Sequence, residues 1–238
     1  MVITEYTIKA DVEKPIKFAF LSDLHDSENG PLIKAIRSAH VNAVLVGGDF
    51  IHNDELCERG FEFLRLSAKI LPTFCSIGNH ERRYKGDLLA RMNETGATVL
   101  DDRAVRFAGV CIGGLSTGYT QEEHQSHWDR TPAPDVDFLE KFARIRGFKL
   151  LLSHHPEYYP LYIRDLPIDL TLSGHAHGGQ WRFFGRGVYS PGQGIFPKYT
   201  SGMHDGRFIV SRGLSTLGWI PRINNKPEML VIKLEPKE

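Results

Sequence analysis

Short apolar runs alternate with segments of helical periodicity along the first half of the chain. Three runs have the length and composition of buried strands, at residues 17–22, 43–46 and 73–77. Three segments with apolar side chains at helical spacing follow them, at residues 31–40, 55–70 and 86–94. Gly96 marks the end of the third helix. Strands that alternate with helices of this length predict a parallel sheet flanked by helices.

The pattern changes in the second half of the chain. Residues 98–100, 105–107 and 110–115 have the appearance of strands in a meander, and residues 135–146 form an amphipathic helix. Further strands are predicted at residues 149–152, 170–172, 207–210 and 229–234. No linker or repeat divides the sequence, so we expect one domain over residues 1–238. Residues 116–134 are polar and irregular over a length that favours a functional role, and they are a candidate lid.

Polar residues of a few types stand in five short blocks along the chain. The blocks are Asp23-Leu24-His25, Gly47-Gly48-Asp49, Gly78-Asn79-His80-Glu81, His154-His155 and Gly174-His175-Ala176-His177. Four of the five directly follow an apolar run. Because ligands of open α/β sheets bind beyond the carboxyl ends of the strands, we expect these blocks to meet at one edge.

The residue types in these blocks suit metal binding. Carboxylates, imidazoles and an amide oxygen together are the donors that Mn²⁺, Fe or Zn²⁺ accept. Each block alone is weak evidence, since an isolated His-x-His or Gly-Gly-Asp is more often structural. Their occurrence in order, four of them directly after an apolar run, predicts hydrolysis at two adjacent metal ions. Seven candidate ligands result: Asp23, His25, Asp49, Asn79, His154, His175 and His177.

These blocks resemble the motifs of the calcineurin-like metallophosphoesterase superfamily, D-x-H, G-D, G-N-H-[ED], H and G-H-x-H. The similarity covers residues 17–181. Residues 175–180 (HAHGGQ), 199–202 (YTSG) and 210–214 (VSRGL) are similar to one bacterial branch of that superfamily. That branch includes cell-wall-associated phosphoesterases and a UDP-2,3-diacylglucosamine pyrophosphatase.

The resemblance implies a fold and a set of roles. The fold is a mixed α/β, four-layer αββα sandwich of the metallophosphoesterase type. Three groups of side chains are implied to hold two divalent ions: Asp23, His25 and His177 on the first, Asn79, His154 and His175 on the second, and Asp49 bridging both. A metal-bridging hydroxide would attack phosphorus in line, and His80 would protonate the leaving group.

One position departs from the family pattern. Many members carry a second aspartate that orients the catalytic histidine, and here the corresponding residue is His52. Asp54 is an alternative partner for His80. Without either, His80 is expected to act mainly as a hydrogen-bond donor to phosphate. A following Asp-Arg pair is also missing, which disfavours a Ser/Thr phosphoprotein phosphatase.

Composition narrows the partners. Formal net charge is zero, and no basic stripe is present, so tight binding of nucleic acid is not expected and a nuclease is disfavoured. The first twenty residues resemble neither a signal peptide nor a membrane span, which predicts a cytoplasmic protein. We therefore expect a hydrolase for a small phosphate ester. A pyrophosphatase for a nucleotide-linked lipid precursor and a non-catalytic metal-binding scaffold remain alternatives, and the oligomeric state is open.

Several aromatic residues follow the motifs. They form three groups: Tyr158, Tyr159 and Tyr162, then Trp181, Phe183 and Phe184, then Phe196, Tyr199 and Trp219. We expect them to pack in the core of the sandwich. The alternative is an apolar groove near the metals for a lipid or nucleoside. His124, His127 and Trp128 lie in the candidate lid.

Overall fold

The computed structural model describes residues 1–120, 131–215 and 221–237. The central part of the candidate lid, with His124, His127 and Trp128, lies outside the described residues, as does Trp219.

The described strands and helices follow in chain order. Those before residue 116 are β1 (Val2–Ala10), β2 (Ile16–Leu21), α1 (Asn29–Ser38), β3 (Ala43–Gly47), α2 (Glu58–Ile70), β4 (Thr73–Ser76), α3 (Leu88–Asn93), β5 (Thr98–Leu100), β6 (Arg103–Phe107) and β7 (Val110–Leu115). Those after it are α4 (Val136–Ala143), β8 (Lys149–Ser153), β9 (Leu170–Ser173), β10 (Arg182–Phe183), β11 (Arg186–Gly187), β12 (Tyr189–Ser190), β13 (Gly194–Ile195), β14 (Gly202–His204), β15 (Phe208–Val210) and β16 (Glu228–Pro236).

Two six-stranded sheets carry most of the strands. The first has the order β1-β16-β2-β3-β4-β5, in which β2 to β5 are parallel and β16 is antiparallel to β2. The second has the order β14-β15-β9-β8-β7-β6, with a parallel centre and an antiparallel strand at each edge. The parallel strands point their carboxyl ends to one edge of each sheet.

Three apolar layers hold the elements together. Leu21 packs with Ile36 of α1 and Phe61 of α2 on the outer face of the first sheet. Its neighbour Phe20 faces the second sheet and packs with Leu152, because successive side chains of a strand point to opposite faces. A third layer lies between the second sheet and α4. This arrangement is the predicted four-layer αββα sandwich.

The helices are short and amphipathic. Helix α2 spans 13 residues and buries Phe61 and Leu64. Helices α3 and α4 begin after aspartates, Asp87 and Asp135, whose side chains accept hydrogen bonds from main-chain amides of the first turn. In the described part of the chain, no helix has the length and apolar character required to cross a membrane.

The sequence pattern misplaced several elements. The predicted meander over residues 98–115 is wrong, because β5 pairs with β4 in the first sheet while β6 and β7 belong to the second. Strand β1 and the hairpins β10–β11 and β12–β13 were not predicted at all. Strand β1 lies at a sheet edge and alternates exposed and half-buried residues, so it lacks the continuous apolar run of a central strand.

The aromatic groups divide between core and surface. Tyr158, Tyr159 and Tyr199 are buried, as expected. Phe183, Phe184 and Phe196 are exposed, so the expectation of core packing is wrong for them.

Strand β16 closes the first sheet through its pairing with both β1 and β2, and Ile232 at its centre is fully buried between the sheets. We expect Ile232→Ala to lower the free energy of unfolding by about 2–5 kcal/mol, because it removes methyl groups and leaves a cavity. Ile3→Ala in β1 is the matched control, since Ile3 is 51% exposed. Urea denaturation measures both, and equal losses in the two variants would contradict this packing.

Candidate metal centre

The seven candidate ligands follow strands from both sheets. Asp23 and His25 follow β2, Asp49 follows β3, and Asn79 follows β4. His154 follows β8, and His175 and His177 follow β9 of the second sheet. Both sheets thus contribute candidate ligands, and these residues come together where the carboxyl ends of the strands of the two sheets face each other.

The first group of donors contains Asp23, His25 and His177. Their ligand atoms all lie within 4.8 Å of one another. His177 Nε2 is 3.6 Å from Asp23 Oδ1, and the His25 and His177 rings stack with centroids 5.2 Å apart. All three side chains are nearly inaccessible to solvent.

The second group contains Asp49, His154 and His175, whose ligand atoms also lie within 4.8 Å of one another. His154 Nε2 is 3.1 Å from Asp49 Oδ2. The same Oδ2 atom is 3.7 Å from His25 Nε2 of the first group. Asp49 therefore stands between the two groups.

Asn79 is brought to Asp49 by the residues on either side of it. A Cβ atom on Gly78 would lie 2.3 Å from Asp49 Oδ1, so only glycine permits this approach. On the other side, the His80 amide donates a hydrogen bond of 2.9 Å to the same Oδ1. Asn79 is buried.

The backbone at the centre is unusual. Five of the seven candidate ligands have positive φ angles between 43° and 62°: Asp23, His25, Asp49, His175 and His177. Residues other than glycine rarely adopt this conformation, and such positions cluster where function requires them. Each sharp turn lets a side chain at a strand end point back into the seam.

Two imidazoles are oriented by main-chain carbonyls. His154 Nδ1 donates to Gly47 O at 2.8 Å, and His177 Nδ1 donates to Ser215 O at 3.2 Å. A proton on Nδ1 leaves the Nε2 lone pair free to bind a metal. The sequence held no signal for these partners, because any residue can supply a carbonyl.

Several buried polar atoms of the centre lack a hydrogen-bond partner among the described residues. They include Nε2 of His25 and Nε2 of His175. Buried polar atoms are almost always satisfied, so a convergent set of acceptors without donors calls for a cation. The donor set therefore fits divalent metal ions.

The protonation of the imidazoles agrees with this. Burial lowers the pKa of His25, His175 and His177, which keeps them neutral. Burial alone would lower the pKa of His154 as well, but the carboxylates of Asp49 and Asp23 raise it to about 10. Neutral imidazole is the form that binds a metal, and a cation beside Asp49 would displace the His154 proton.

Glu81 braces the turn that carries Asp49. Its carboxylate accepts hydrogen bonds from the amides of Asp49 at 2.8 Å, Gly78 at 2.7 Å and Ile51 at 3.2 Å. Burial and the nearby Asp49 raise the pKa of Glu81 to about 7. The side chain thus joins the loops after β3 and β4.

Neither the side chain of His52 nor that of Asp54 orients His80. His80 Nδ1 donates a hydrogen bond to the main-chain carbonyl of His52. Asp54 accepts instead from the Lys85 amide, at 3.0 Å. His52 is half-buried, and its Nδ1 lies 3.4 Å from His25 Nδ1.

His155 lies behind the ligands. It is fully buried, its Nε2 is 2.9 Å from Thr117 Oγ1, and its ring centroid is 4.3 Å from that of His175. Its Nδ1 lies 3.5 Å from a carboxylate oxygen of Glu157. His155 thus packs against the ring of His175.

A cavity of about 800 Å³ lies beside the loop that follows His80. Its lining includes Arg82, Leu88 and Tyr119. Arg82 pairs with Asp101 at 3.2 Å, which holds the guanidinium at the cavity wall.

Comparison with known proteins agrees with this geometry. Residues 16–179 match the family model of the calcineurin-like phosphoesterases. The phosphodiesterase YaeI of Escherichia coli (strain K12) is 28% identical, and the match covers 94% of this chain and 84% of that protein. The uncharacterized metallophosphoesterase YkuE of Bacillus subtilis (strain 168) is 29% identical, with coverage of 98% and 85%.

A solved structure shares the fold. The sulfate thiohydrolase SoxB of Thermus thermophilus in complex with glycerol superposes with a TM-score of 0.52 at 14% sequence identity. The match covers 86% of this chain and 52% of that one, so the present chain spans about half its length. At this identity the likeness concerns the fold alone.

We expect Glu81→Gln to lower the free energy of unfolding by about 1–3 kcal/mol. The glutamine NH₂ group cannot accept a hydrogen bond, so at least one of the three main-chain amides would lose its acceptor. The same variant should bind metal more weakly, since Asp49 loses its support. Denaturation and elemental analysis measure the two effects. Glu62→Gln in α2 is the control, since the Glu62 side chain is 42% exposed. An unchanged metal content in Glu81→Gln would contradict the bracing role.

Proposed function

This chain belongs to the calcineurin-like phosphoesterase family and is a metal-dependent phosphoester hydrolase, and from this premise we propose that it cleaves a small phosphodiester or pyrophosphate at a pair of divalent ions. The observation that carries the proposal is the placement of Asp49 between two groups of donors. Its Oδ2 atom lies 3.1 Å from His154 Nε2 on one side and 3.7 Å from His25 Nε2 on the other.

The two groups divide the ligands. Asp23, His25 and His177 would hold one ion, and His154 and His175 the other. Asn79, whose neighbours Gly78 and His80 approach Asp49, would join the second group. Asp49 would bridge them, because a carboxylate can bind two ions at once. Mixed oxygen and nitrogen donors favour Mn²⁺, Fe or Zn²⁺ over Ca²⁺, which takes oxygen ligands. When bound, such a pair of ions would lower the pKa of a coordinated water toward neutrality and neutralise charge on the attacking and leaving oxygens.

The chain itself orients these donors and shields them from water. The main-chain carbonyls of Gly47 and Ser215 fix the ring orientations of His154 and His177. Because the donors are buried, little reorganisation is needed when charge develops on phosphate. Such preorganisation supports a catalytic centre over a non-catalytic scaffold.

Two observations support a role for His80 at the substrate. Its Nε2 lies 3.9 Å from Asp49 Oδ2, and at 11% its side chain is more exposed than those of the ligands beside it. Burial lowers the pKa of His80 to about 4. The charge of Asp49 raises this pKa, and the charge of Arg83 lowers it further. A neutral carbonyl partner also stabilises an imidazolium less than a carboxylate does. We therefore assign His80 to the phosphate oxygens: with Nδ1–H held by the His52 carbonyl, Nε2 would take up a proton from water when the phosphate anion binds, donate it in a hydrogen bond to a phosphate oxygen and pass it to the leaving group.

A diester or pyrophosphate is favoured over a monoester. Either carries a second substituent on phosphorus, and the cavity that Arg82 and Tyr119 line offers space for one beside the His80 loop. The name of the E. coli relative, a phosphodiesterase, points to the same class of substrate.

We expect the purified protein loaded with Mn²⁺ to hydrolyse bis(p-nitrophenyl) phosphate faster than p-nitrophenyl phosphate. Asp49→Ala should reduce kcat/KM by about 10³-fold or more and the bound metal from about two ions per chain to one or fewer. Exposed Asp137 in α4 supplies the control, Asp137→Ala. Equal turnover of both esters by Asp49→Ala and wild type would refute the proposed centre.

A second expectation separates His80 from His52. His80→Ala should lower kcat by about 10²–10⁴-fold for a phenyl ester and by less for a p-nitrophenyl ester, whose leaving group needs no proton. His52→Ala keeps the carbonyl that orients His80, so its kcat should stay within about tenfold of wild type. The same leaving-group dependence in both variants would show that the His52 side chain, not its carbonyl, serves His80.

A further inference from the structure

Two hairpins beyond the metal centre present apolar side chains to solvent. Phe183 and Phe184 on the hairpin β10–β11 are 50% and 105% exposed, and Ile195 and Phe196 on the hairpin β12–β13 are 63% and 77% exposed. We call these four residues the hairpin surface. Scattered exposed apolar residues are common, but a group of large ones on adjacent elements marks an interaction site.

The turns of these hairpins make the aromatic residues more unusual. Phe184 and Gly185 join β10 to β11 with φ angles of 51° and 80°, the conformation for which Asn-Gly is preferred. Phe196 also has a positive φ, of 52°. At both positions an asparagine would suit backbone and solvent better than phenylalanine. Departures from local preference without a packing gain are expected at functional sites.

Charge on the same segment has one sign. Residues 178–204 contain no aspartate or glutamate. Arg186 and Lys198 are exposed next to the apolar side chains. Arg182 is less available, because its guanidinium donates to the carbonyls of Gly178 and Gly185. The hairpin surface is therefore apolar and basic, although the whole chain has no net charge.

We propose that the hairpin surface binds the surface of an anionic phospholipid bilayer. Aromatic rings enter the boundary between head groups and acyl chains, while lysine and arginine contact the negative head groups. A second copy of the chain fits less well, because a two-fold contact would place Arg186 and Lys198 of each copy against those of the other. The proposal goes beyond the hydrolytic function and does not depend on it.

Wild-type protein should sediment with phosphatidylglycerol vesicles. The double variant Phe184→Asn/Phe196→Asn should lower the partition coefficient by at least about tenfold, because two rings no longer enter the lipid. Asparagine suits both φ angles, so the variant should fold at least as well as wild type. Leu161→Asn is the control, since Leu161 is 68% exposed outside the hairpins. Equal binding by wild type and the double variant would overturn the proposal.

Further arms identify the partner. Binding should be about tenfold or more weaker to phosphatidylcholine vesicles, and Arg186→Gln/Lys198→Gln should reduce binding to phosphatidylglycerol in the same way. Binding of wild type to neither kind of vesicle, or a dimer that the double asparagine variant dissociates in analytical ultracentrifugation, would overturn the proposal in favour of a protein contact. Asp49→Ala should bind vesicles like wild type, which separates this surface from the catalytic proposal.

Discussion

Face-to-face packing of the two sheets is the constraint on which the metal centre depends, because neither sheet carries a full set of ligands. The apolar layer that contains Phe20 and Leu152 sets the distance between the sheets, and the strand ends meet at its rim. Polar contacts then cross the seam. The His175 amide donates to both oxygens of Asp23, at 3.0 and 3.1 Å, and the ring of His154 donates to Gly47 O. Core and site are therefore one cooperative unit.

The same packing makes the metal centre unfavourable to the free energy of folding when no cation is bound. Asp23 and Asp49 are fully buried, and burial of carboxylates is unfavourable unless charge or hydrogen bonds compensate it. Positive φ angles at both add strain of about 1–3 kcal/mol each. A divalent ion that binds only the folded state would offset these terms by mass action. The ligand residues thus favour metal binding at the expense of the metal-free fold.

The sequence predicted the ligand side chains that stand at strand ends, but not the main-chain carbonyls that orient the histidine side chains. Asp49 and His175 were identifiable because each follows an apolar run and stands next to glycine. The carbonyl that orients His80 was not identifiable. The sequence shows only that a histidine side chain stands at position 52 in place of an aspartate, whereas the atom that accepts from His80 belongs to the main chain of His52. Strand β1 escaped because its partner, β16, lies at the other end of the chain, and register between such distant strands leaves no local signal.

The hairpin surface and the centre share the same turn. The short helical turn His177–Gly179 lies between the ligand His177 and β10. The side chain of Asn225 donates to the carbonyls of both His177 and Gln180, and Gly179 O accepts from the amide of Val188, between the two hairpins. Close contact between Gly179 and Gly187 leaves no room for a side chain on either. Since these contacts fix the hairpins to His177, a surface that holds the hairpins also fixes the orientation of the metal centre.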